Sequence, residues 1–242
     1  MSASGPAGER GATEAQRRSI GPLLVPTHPA DAMTAYYALE YDPERVRLHV
    51  HRAPQGQVDG FVAVCQTRAD LFVPLVVMRA PEGLAASLLR QALHPGRPYT
   101  VVTTPLLRRG VEETLLLERQ QLNCVYAFDP PSFHPVINVM VQPGPGPFRF
   151  EIRVGDRVMS AAGINWRSAH LAEMYVYTEP EAQGRGWGRA VGAMCVRSLL
   201  DAGLLPLYAA DGENAASQAL ARALGFVDKG IRELESLGQL RG

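Results

Sequence analysis

One stretch of this 242-residue chain restricts the fold more than any other, because it joins a strand, a glycine-rich turn and a helix. The strand pattern runs through Met174, Val176 and Thr178, and glycines follow at positions 184, 186 and 188. Since glycine lacks a side chain, several backbone N–H groups of such a turn can face one anion, with the helix dipole behind them. A pyrophosphate fits such a nest. An amphipathic helix is predicted after the turn, because residues recur on one helical face at Trp187, Val191, Met194, Cys195 and Ser198.

Two other interpretations of this turn must be weighed. A glycine-rich connection between a strand and a helix can be no more than a tight turn, and three glycines alone do not exclude this. A dinucleotide site of the Rossmann type requires G-x-G-x-x-G and an acidic residue at the end of a following strand. Here the spacing is G-x-G-x-G, and no such acidic partner follows in a βαβ unit. The pattern therefore argues against an NAD(P) site.

Further motifs make the pattern specific. Residues 183–188 read Q-G-R-G-W-G, a short strand is expected at Leu204–Ala209, and the segment DGENAASQALARALGF follows. This combination resembles the GNAT superfamily of acyl-CoA-dependent N-acetyltransferases, whose pattern is [RQ]-x-x-G-x-[GA] followed by N-x-x-S and G-F. The resemblance runs from Phe148 to Leu237. It implies an α/β (α+β) fold with a mixed, mostly antiparallel central sheet flanked by helices.

The order of the predicted elements suggests that the chain contains this architecture twice. The first half includes a predicted helix at 111–120 and a strand at 122–128, and the second half ends with a strand at 226–234. The strand-to-helix turn of the first half, MRAPEGLAAS, lacks the three glycines, so we expect the first copy not to hold a pyrophosphate. The alternative is that strand–helix alternation is common in α/β proteins and the match is chance. We predict a disordered tail at 1–19, a degenerate GNAT-like half at 20–142 and an acetyl-CoA-binding catalytic domain at 146–242, separated by the stretch VQPGPGPF.

Composition excludes several classes of partner. The chain has 24 basic and 24 acidic residues and a net charge of +0, whereas a nucleic-acid binder needs a basic excess. No apolar stretch approaches the length that spans a bilayer. Cys65, Cys124 and Cys195 lie far apart in apolar runs, which predicts reduced thiols and a cytoplasmic location. Apart from His49 and His51, the histidines and cysteines show no metal-ligand spacing, so no metal is expected.

The resemblance implies that acetyl-CoA is the cosubstrate. Backbone N–H groups of the loop would bind its pyrophosphate, and the edge of the strand 174–178 would pair with its pantetheine arm. Asn214 would cap the last helix and could also contact this arm. The family separates its fourth and fifth strands to admit the arm, and Pro180 and Pro206 are expected where the pairing is interrupted. The predicted coenzyme-binding residues are Tyr175, Val176, Tyr177, Thr178, Gln183, Gly184, Arg185, Gly186, Trp187, Gly188, Arg189, Asn214 and Ser217.

The predicted catalytic residue is Glu173, which occupies the strand where family members often carry a catalytic glutamate. Its carboxylate could take the proton of the amine directly or through water. The alternatives are that it only recognises a cationic substrate or that it faces solvent. The chain departs from the family at Ala221, where many members have a tyrosine that protonates the thiolate. Tyr208, Tyr177, Ser217 or water would then do this, or no transfer occurs.

These features predict an N-acetyltransferase that moves an acetyl group from acetyl-CoA to a primary amine of a small molecule or a protein. The rival hypothesis is a non-catalytic coenzyme A-binding sensor or interaction module. The absence of tyrosine at Ala221 favours this rival, whereas the intact loop and Glu173 favour the enzyme. The sequence leaves the amine acceptor unidentified and the oligomeric state open, a homodimer included.

Overall fold

Helices and strands alternate along the computed structural model, which describes residues 11–68 and 70–242. The helices are α1 (Glu14–Ile20), α2 (Ala32–Ala35), α3 (Ala85–Ala92), α4 (Arg108–Thr114), α5 (Trp187–Asp201) and α6 (Ala215–Ala223). The strands are β1 (Val46–Arg52), β2 (Val58–Cys65), β3 (Leu75–Arg79), β4 (Pro98–Thr103), β5 (Leu115–Phe128), β6 (Gln142–Pro143), β7 (Phe150–Val154), β8 (Arg157–Arg167), β9 (Leu171–Thr178), β10 (Leu205–Asp211) and β11 (Phe226–Leu240). Short 3₁₀ turns occur at Gly21–Leu23, Pro43–Arg45, Glu82–Leu84, Pro105–Leu107, Pro130–Ser132 and Pro180–Ala182, with a π-helical turn at Tyr36–Glu40.

These helices and strands form two compact units. Unit 1 contains the described residues up to Val25 together with Met33–Gln121 and Glu233–Gly242. Unit 2 contains Pro26–Ala32 and Leu122–Arg232. Strands β5 and β11 each contribute one end to each unit. The proline–glycine stretch at 141–148 therefore does not divide the units, and the expected boundary between 142 and 146 is wrong as a boundary of compact structure.

Each unit has the same pattern of strand pairing. In unit 1, β1/β2 and β2/β3 are antiparallel, β3/β4 are parallel, and β4 pairs antiparallel with β11. In unit 2, β7/β8 and β8/β9 are antiparallel, β9/β10 are parallel, and β10 pairs antiparallel with β5. Helices α3 and α5 make the parallel crossovers. The predicted mixed, mostly antiparallel sheet flanked by helices is confirmed.

The closing strand of each unit comes from an unexpected part of the chain. Strand β5 follows α4 of unit 1, yet its residues 123–127 pair with β10 of unit 2. Strand β11 follows α6 of unit 2, yet its residues 234–239 pair with β4 of unit 1. A boundary drawn from sequence order could not show this exchange, because both strands continue without a break.

Two local predictions in unit 1 are wrong. Residues 14–19 of the expected tail belong to α1, which Thr13 and Gln16 begin with a reciprocal capping box and which buries Ile20 completely. Residues 1–10 of that tail lie outside the described residues. The helix expected at 111–120 ends at Thr114, and Leu115 begins β5.

The apolar core follows these units. In unit 2, α5 packs against β8 and β9, and the buried cluster includes Met174, Val191, Tyr208 and Phe226. Unit 1 buries one cluster around Phe61 and another that includes α3. No helix among the described residues is both long enough and apolar enough to cross a membrane.

Candidate active site

The glycine-rich turn of unit 2 has the geometry that an anion nest requires. Gly184 and Gly186 both have φ of +76°, a left-handed conformation that residues with side chains rarely adopt. Gly186 is the N-cap of α5, and a Cβ atom at either glycine would meet no atom within 4 Å. The first backbone N–H groups of a helix have no partner within the helix. The open space beside these glycines is therefore where those donors and the helix dipole can meet an anion.

A cavity of about 510 Å³ lies against this turn. It is bounded by the end of β9, by the turn and the start of α5, and by residues of β10 and α6. The predicted residues that line it are Val176, Tyr177, Thr178, Gln183, Gly184, Gly186, Trp187, Gly188, Arg189, Asn214 and Ser217. Ala182, Tyr208, Ala216 and Leu220 complete the lining. The structure thus brings together residues that are up to 44 positions apart, from Val176 to Leu220.

The two parallel strands beside this cavity pair along only part of their length. The register joins residues 171–174 of β9 to residues 205–208 of β10, and within the described residues the pairing ends at Met174 and Tyr208. Residues 175–178 of β9 therefore lie beyond the paired region, and binding of the pantetheine arm along their edge stays a prediction. Pro180 lies after the end of β9, but Pro206 pairs with Ala172 inside the paired region. The prediction that Pro206 interrupts the pairing is therefore wrong.

A short chain of polar groups crosses the cavity wall. The Oδ1 atom of Asn214 accepts a hydrogen bond of 2.9 Å from the backbone N–H of Ser217, so Asn214 caps α6 as expected. The hydroxyl groups of Ser217 and Tyr208 lie 3.1 Å apart. Burial raises the pKa of Tyr208, and the hydrogen bond from Ser217 opposes this only in part. Tyr208 is therefore a neutral phenol at neutral pH.

Comparison with known proteins agrees with this geometry. Residues 147–231 match a family model described as GNAT acetyltransferase. This part of the chain, here called the GNAT domain, has the sequence pattern of that family. A search of curated proteins finds no match.

The fold of the whole chain is similar to solved structures of the same family. A GCN5-related N-acetyltransferase from Sphaerobacter thermophilus has a TM-score of 0.64 at 14% identity, covering 96% of this chain and 95% of that one. A GCN5-related N-acetyltransferase from Kribbella flavida has a TM-score of 0.62 at 14% identity, covering 91% of this chain and 97% of that one. A tandem GNAT protein from the clavulanic acid biosynthesis pathway has a TM-score of 0.52 at 12% identity, covering 96% and 98%.

Glu173 of the GNAT domain does not line the cavity. It lies in β9 beside Met174, so the two side chains point to opposite faces of the sheet. One carboxylate oxygen accepts a hydrogen bond of 2.7 Å from Nδ2 of Asn165, and the other accepts one of 3.2 Å from Nε1 of Trp166. Its backbone pairs with Leu207, one position before the last pair that joins β9 to β10. Glu173 thus lies where the two strands of the GNAT domain begin to separate, on the far face from α5.

Two further predicted residues do not line the cavity. The hydroxyl of Tyr175 accepts a hydrogen bond of 2.7 Å from Nη1 of Arg149, on the same face of the sheet as Glu173. Gly163 makes room for this ring, because a Cβ atom there would lie 2.7 Å from the hydroxyl. The guanidinium of Arg185 lies over the ring of Trp187, 5.3 Å from its centroid. Arg185 therefore packs on a cavity residue without bounding the cavity itself.

The position that is tyrosine in many family members is enclosed here. Ala221 is fully buried in the core of the GNAT domain. Of the groups considered in its place, Tyr208, Ser217 and Tyr177 all line the cavity. Tyr177 is 51% exposed, and its hydrogen bond to Glu179 is the main cause that raises its pKa. Tyr208 is 3% exposed, so it is the more enclosed of the two phenols.

The sheet face that carries Glu173 and Tyr175 also contains a buried charged residue, Glu151, that the sequence analysis did not predict. Glu151 is 2% exposed and accepts hydrogen bonds of 2.7 Å from Arg149 and 2.8 Å from Arg153. The hydrogen bond from Arg149 is the main cause that lowers the pKa of this carboxyl, and burial opposes it. The alternation F-R-F-E-I-R-V could have indicated it, since positions 149, 151 and 153 share one face of a strand.

Among the described residues, no group of three or more histidine, cysteine, aspartate or glutamate side chains lies close enough to hold a metal ion. Cys65, Cys124 and Cys195 are separate buried thiols.

Proposed function

We propose that this protein is an N-acetyltransferase that transfers the acetyl group of acetyl-CoA to a primary amine of a small molecule or a protein. The observation that carries the proposal is the cavity at the start of α5, which the left-handed glycines Gly184 and Gly186 leave open. A pyrophosphate has the size and charge to accept hydrogen bonds from the first N–H groups of this helix.

The arrangement of β9 and β10 supports an extended coenzyme. The pantetheine arm carries amide groups, and the edge of residues 175–178 could bind them as a strand binds its neighbour. Asn214 and Ser217 bound the same cavity from α6. The thioester would then lie near the point where the two strands begin to separate.

The proposed transfer needs a base and an acid. The neutral amine attacks the thioester carbonyl, the C–N bond forms, the C–S bond breaks, and the amine loses one proton while the thiolate gains one. We assign the base to Glu173, which lies beside the strand separation, and the acid to Tyr208. Tyr208 can donate because burial raises its pKa and keeps its proton in place, with Ser217 3.1 Å away as a relay.

Unit 1 is proposed to be a degenerate copy of unit 2. The pairing pattern of its strands is the same, which supports a common architecture. Its turn before α3 contains Gly83, which lacks the left-handed conformation of Gly184 and Gly186, and the N-cap of α3 is Leu84 instead of a left-handed glycine. We therefore assign acetyl-CoA binding to unit 2 alone. We also propose a cytoplasmic location, because the three cysteines are free buried thiols.

The second candidate is a coenzyme A-binding module without turnover. Two observations favour it: Ala221 supplies no phenol, and Glu173 lies outside the cavity lining. Release of free coenzyme A thiol with a panel of primary amines separates the two functions. The transferase predicts thiol release that depends on both acetyl-CoA and an amine. Binding of acetyl-CoA without thiol release across small amines, lysine peptides and N-terminal peptides would support the module instead.

A further inference from the structure

Strand β8 contains one residue more than the part of β9 that it faces. Ile164 of β8 pairs with Met174 of β9. The next pair joins Trp166 to Glu173, so Asn165 is an extra residue and forms a β-bulge. Consecutive residues of a regular strand point to opposite faces of the sheet. At this bulge, by contrast, Asn165 and Trp166 both reach the side chain of Glu173.

The two donors of the bulge hold different oxygens of the Glu173 carboxylate. Nδ2 of Asn165 donates to Oε1 at 2.7 Å, and Nε1 of Trp166 donates to Oε2 at 3.2 Å. Trp166 is 4% exposed, so its indole is a fixed donor, whereas Asn165 is exposed. A partly exposed glutamate side chain without such contacts would sample several rotamers. Together the two hydrogen bonds set the direction in which this carboxylate points.

The backbone that carries these donors is fixed on both sides of the bulge. After the bulge, the backbone N–H of Ser168 donates to the carbonyl of Leu171 at 2.8 Å, and the hydroxyl of Ser168 accepts a hydrogen bond of 3.0 Å from the N–H of Leu171. Before the bulge, regular pairing with β9 runs from Ser160 to Ile164. The position of Asn165 relative to Glu173 is therefore set by the sheet, although its side chain is exposed.

We propose that Asn165 is a positioning residue, which aligns the carboxylate of Glu173 with the acceptor amine. The inference rests on the proposed function, in which Glu173 takes the proton of the amine. A base must stay within hydrogen-bond reach of the proton that it removes, so a small loss of alignment lowers turnover strongly. Trp166 makes the second contact but is also part of the buried packing. Asn165 is thus the residue at which positioning can be tested apart from packing.

Steady-state kinetics on a verified amine acceptor tests the role of Asn165. Asn165→Ala should lower kcat about tenfold to a hundredfold with the Kd for acetyl-CoA unchanged, because the base loses its alignment while the cavity keeps its lining. Asn165→Gln keeps an amide donor and should recover part of the rate. Gln142→Ala is the matched control, since Gln142 is another exposed amide and pairs with Glu151 on the same face of the sheet. It should keep the wild-type kcat.

A double-mutant cycle shows whether Asn165 acts through Glu173. In the Glu173→Gln background, Asn165→Ala should cause no further loss of kcat, because no base is left to align. An equal further loss in that background would overturn the proposal, since Asn165 would then contact the acceptor directly. Wild-type turnover of Glu173→Gln alone is a different result, which contradicts the assignment of the base in the proposed function.

A readout without turnover keeps these two failures apart. The indole N–H resonance of Trp166 reports its hydrogen bond to Glu173 in NMR spectra of the whole protein, and Trp187→Phe assigns it because the chain has two tryptophans. Asn165→Ala should shift this resonance as the carboxylate moves, and Gln142→Ala should not. An unshifted resonance in Asn165→Ala would show that the carboxylate keeps its place without Asn165, and the proposal would fail. A shifted resonance in a protein that releases no thiol with any amine would support the positioning and reject the transferase.

Discussion

The hydroxyl groups of Tyr208 and Ser217 lie 3.1 Å apart in the wall of the cavity beside Gly184 and Gly186, and we propose that they act in place of the missing family tyrosine. The family tyrosine position is Ala221, which is packed into the core. A phenol introduced there would have to displace buried side chains. Tyr208 reaches the cavity from β10 instead of from α6, so the chain keeps a proton donor without that helix position.

The first residue-scale prediction concerns Gly186. Gly186→Asp should abolish the rise in melting temperature that acetyl-CoA causes in the wild type, because it places a side chain and a negative charge where the pyrophosphate binds. Gly203→Asp is the matched control: Gly203 has φ of +75° and also has no atom within 4 Å of a Cβ position, but it lies beyond the other end of α5. The stabilisation is measured by thermal melting. If the folded Gly186→Asp variant keeps it, the pyrophosphate assignment fails.

The second prediction concerns the base. Glu173→Gln keeps the acceptor for Asn165 but cannot take a proton, so turnover should fall about a hundredfold or more with acetyl-CoA affinity unchanged. The measurement is the steady-state rate on a verified amine acceptor, with calorimetry for the coenzyme. A variant that turns over at the wild-type rate would show that the enzyme only positions an amine that is already neutral.

The third prediction concerns the acid. Tyr208→Phe should lower turnover about a hundredfold, because the ring stays while its proton is lost. The pKa of Tyr208 is raised, so the phenol stays protonated through pH 7–9 and should not itself limit the rate there. The same shift stabilises the fold fully below pH about 10 and less as pH rises above it. The wild type should therefore lose stability at alkaline pH relative to Tyr208→Phe; identical alkaline melting curves would contradict the buried phenol.

At the scale of elements, helix α6 depends on one side chain at its start. Asn214→Ala removes the acceptor for the N–H group of Ser217 and should cost about 1 kcal/mol of unfolding free energy. Asn214→Ser, which keeps a capping oxygen, is expected to recover most of this loss. Chemical denaturation in the absence of coenzyme measures it, so that any role of Asn214 in the cavity does not contribute. Equal stability of the alanine and serine variants would show that the cap is not the source of the effect.

The same scale shows what sequence patterns can and cannot predict. Strand, turn and helix around Gly184 and Gly186 were predictable, because left-handed glycines and a helix N-terminus leave a local signature. The end of α4 was not predictable, since L-L-L-E-R-Q-Q-L has ordinary helix propensity. Pairing of β5 with β11 makes these residues a strand. Nε2 of Gln120 donates a hydrogen bond of 3.2 Å to the hydroxyl of Ser236, and Nη2 of Arg119 lies 3.0 Å from Oε1 of Glu235. Such contacts join residues 116 positions apart in the sequence.

At the scale of the whole molecule, the two units show how one architecture can carry different sites. Both have the same order of antiparallel and parallel pairs. The likeness in pairing was predictable from the order of elements, but the exchange of β5 and β11 was not, because no local pattern tells a strand which sheet it joins. We propose that differences at single turns, such as Gly186 against Leu84 at the helix N-caps, decide which unit can hold a pyrophosphate.

The number of coenzyme molecules per chain tests this division. If only unit 2 holds acetyl-CoA, calorimetry should give one site per chain, and Gly186→Asp should reduce this to none. The turn before α3 should contribute no site, because Gly83 lacks the left-handed conformation and three glycines are absent there. Gly83→Asp is the control: a Cβ atom at Gly83 meets nothing within 4 Å, so the change is tolerated and coenzyme binding should remain at one site. Two sites in the wild type, with one lost in Gly83→Asp, would show that unit 1 also binds the coenzyme.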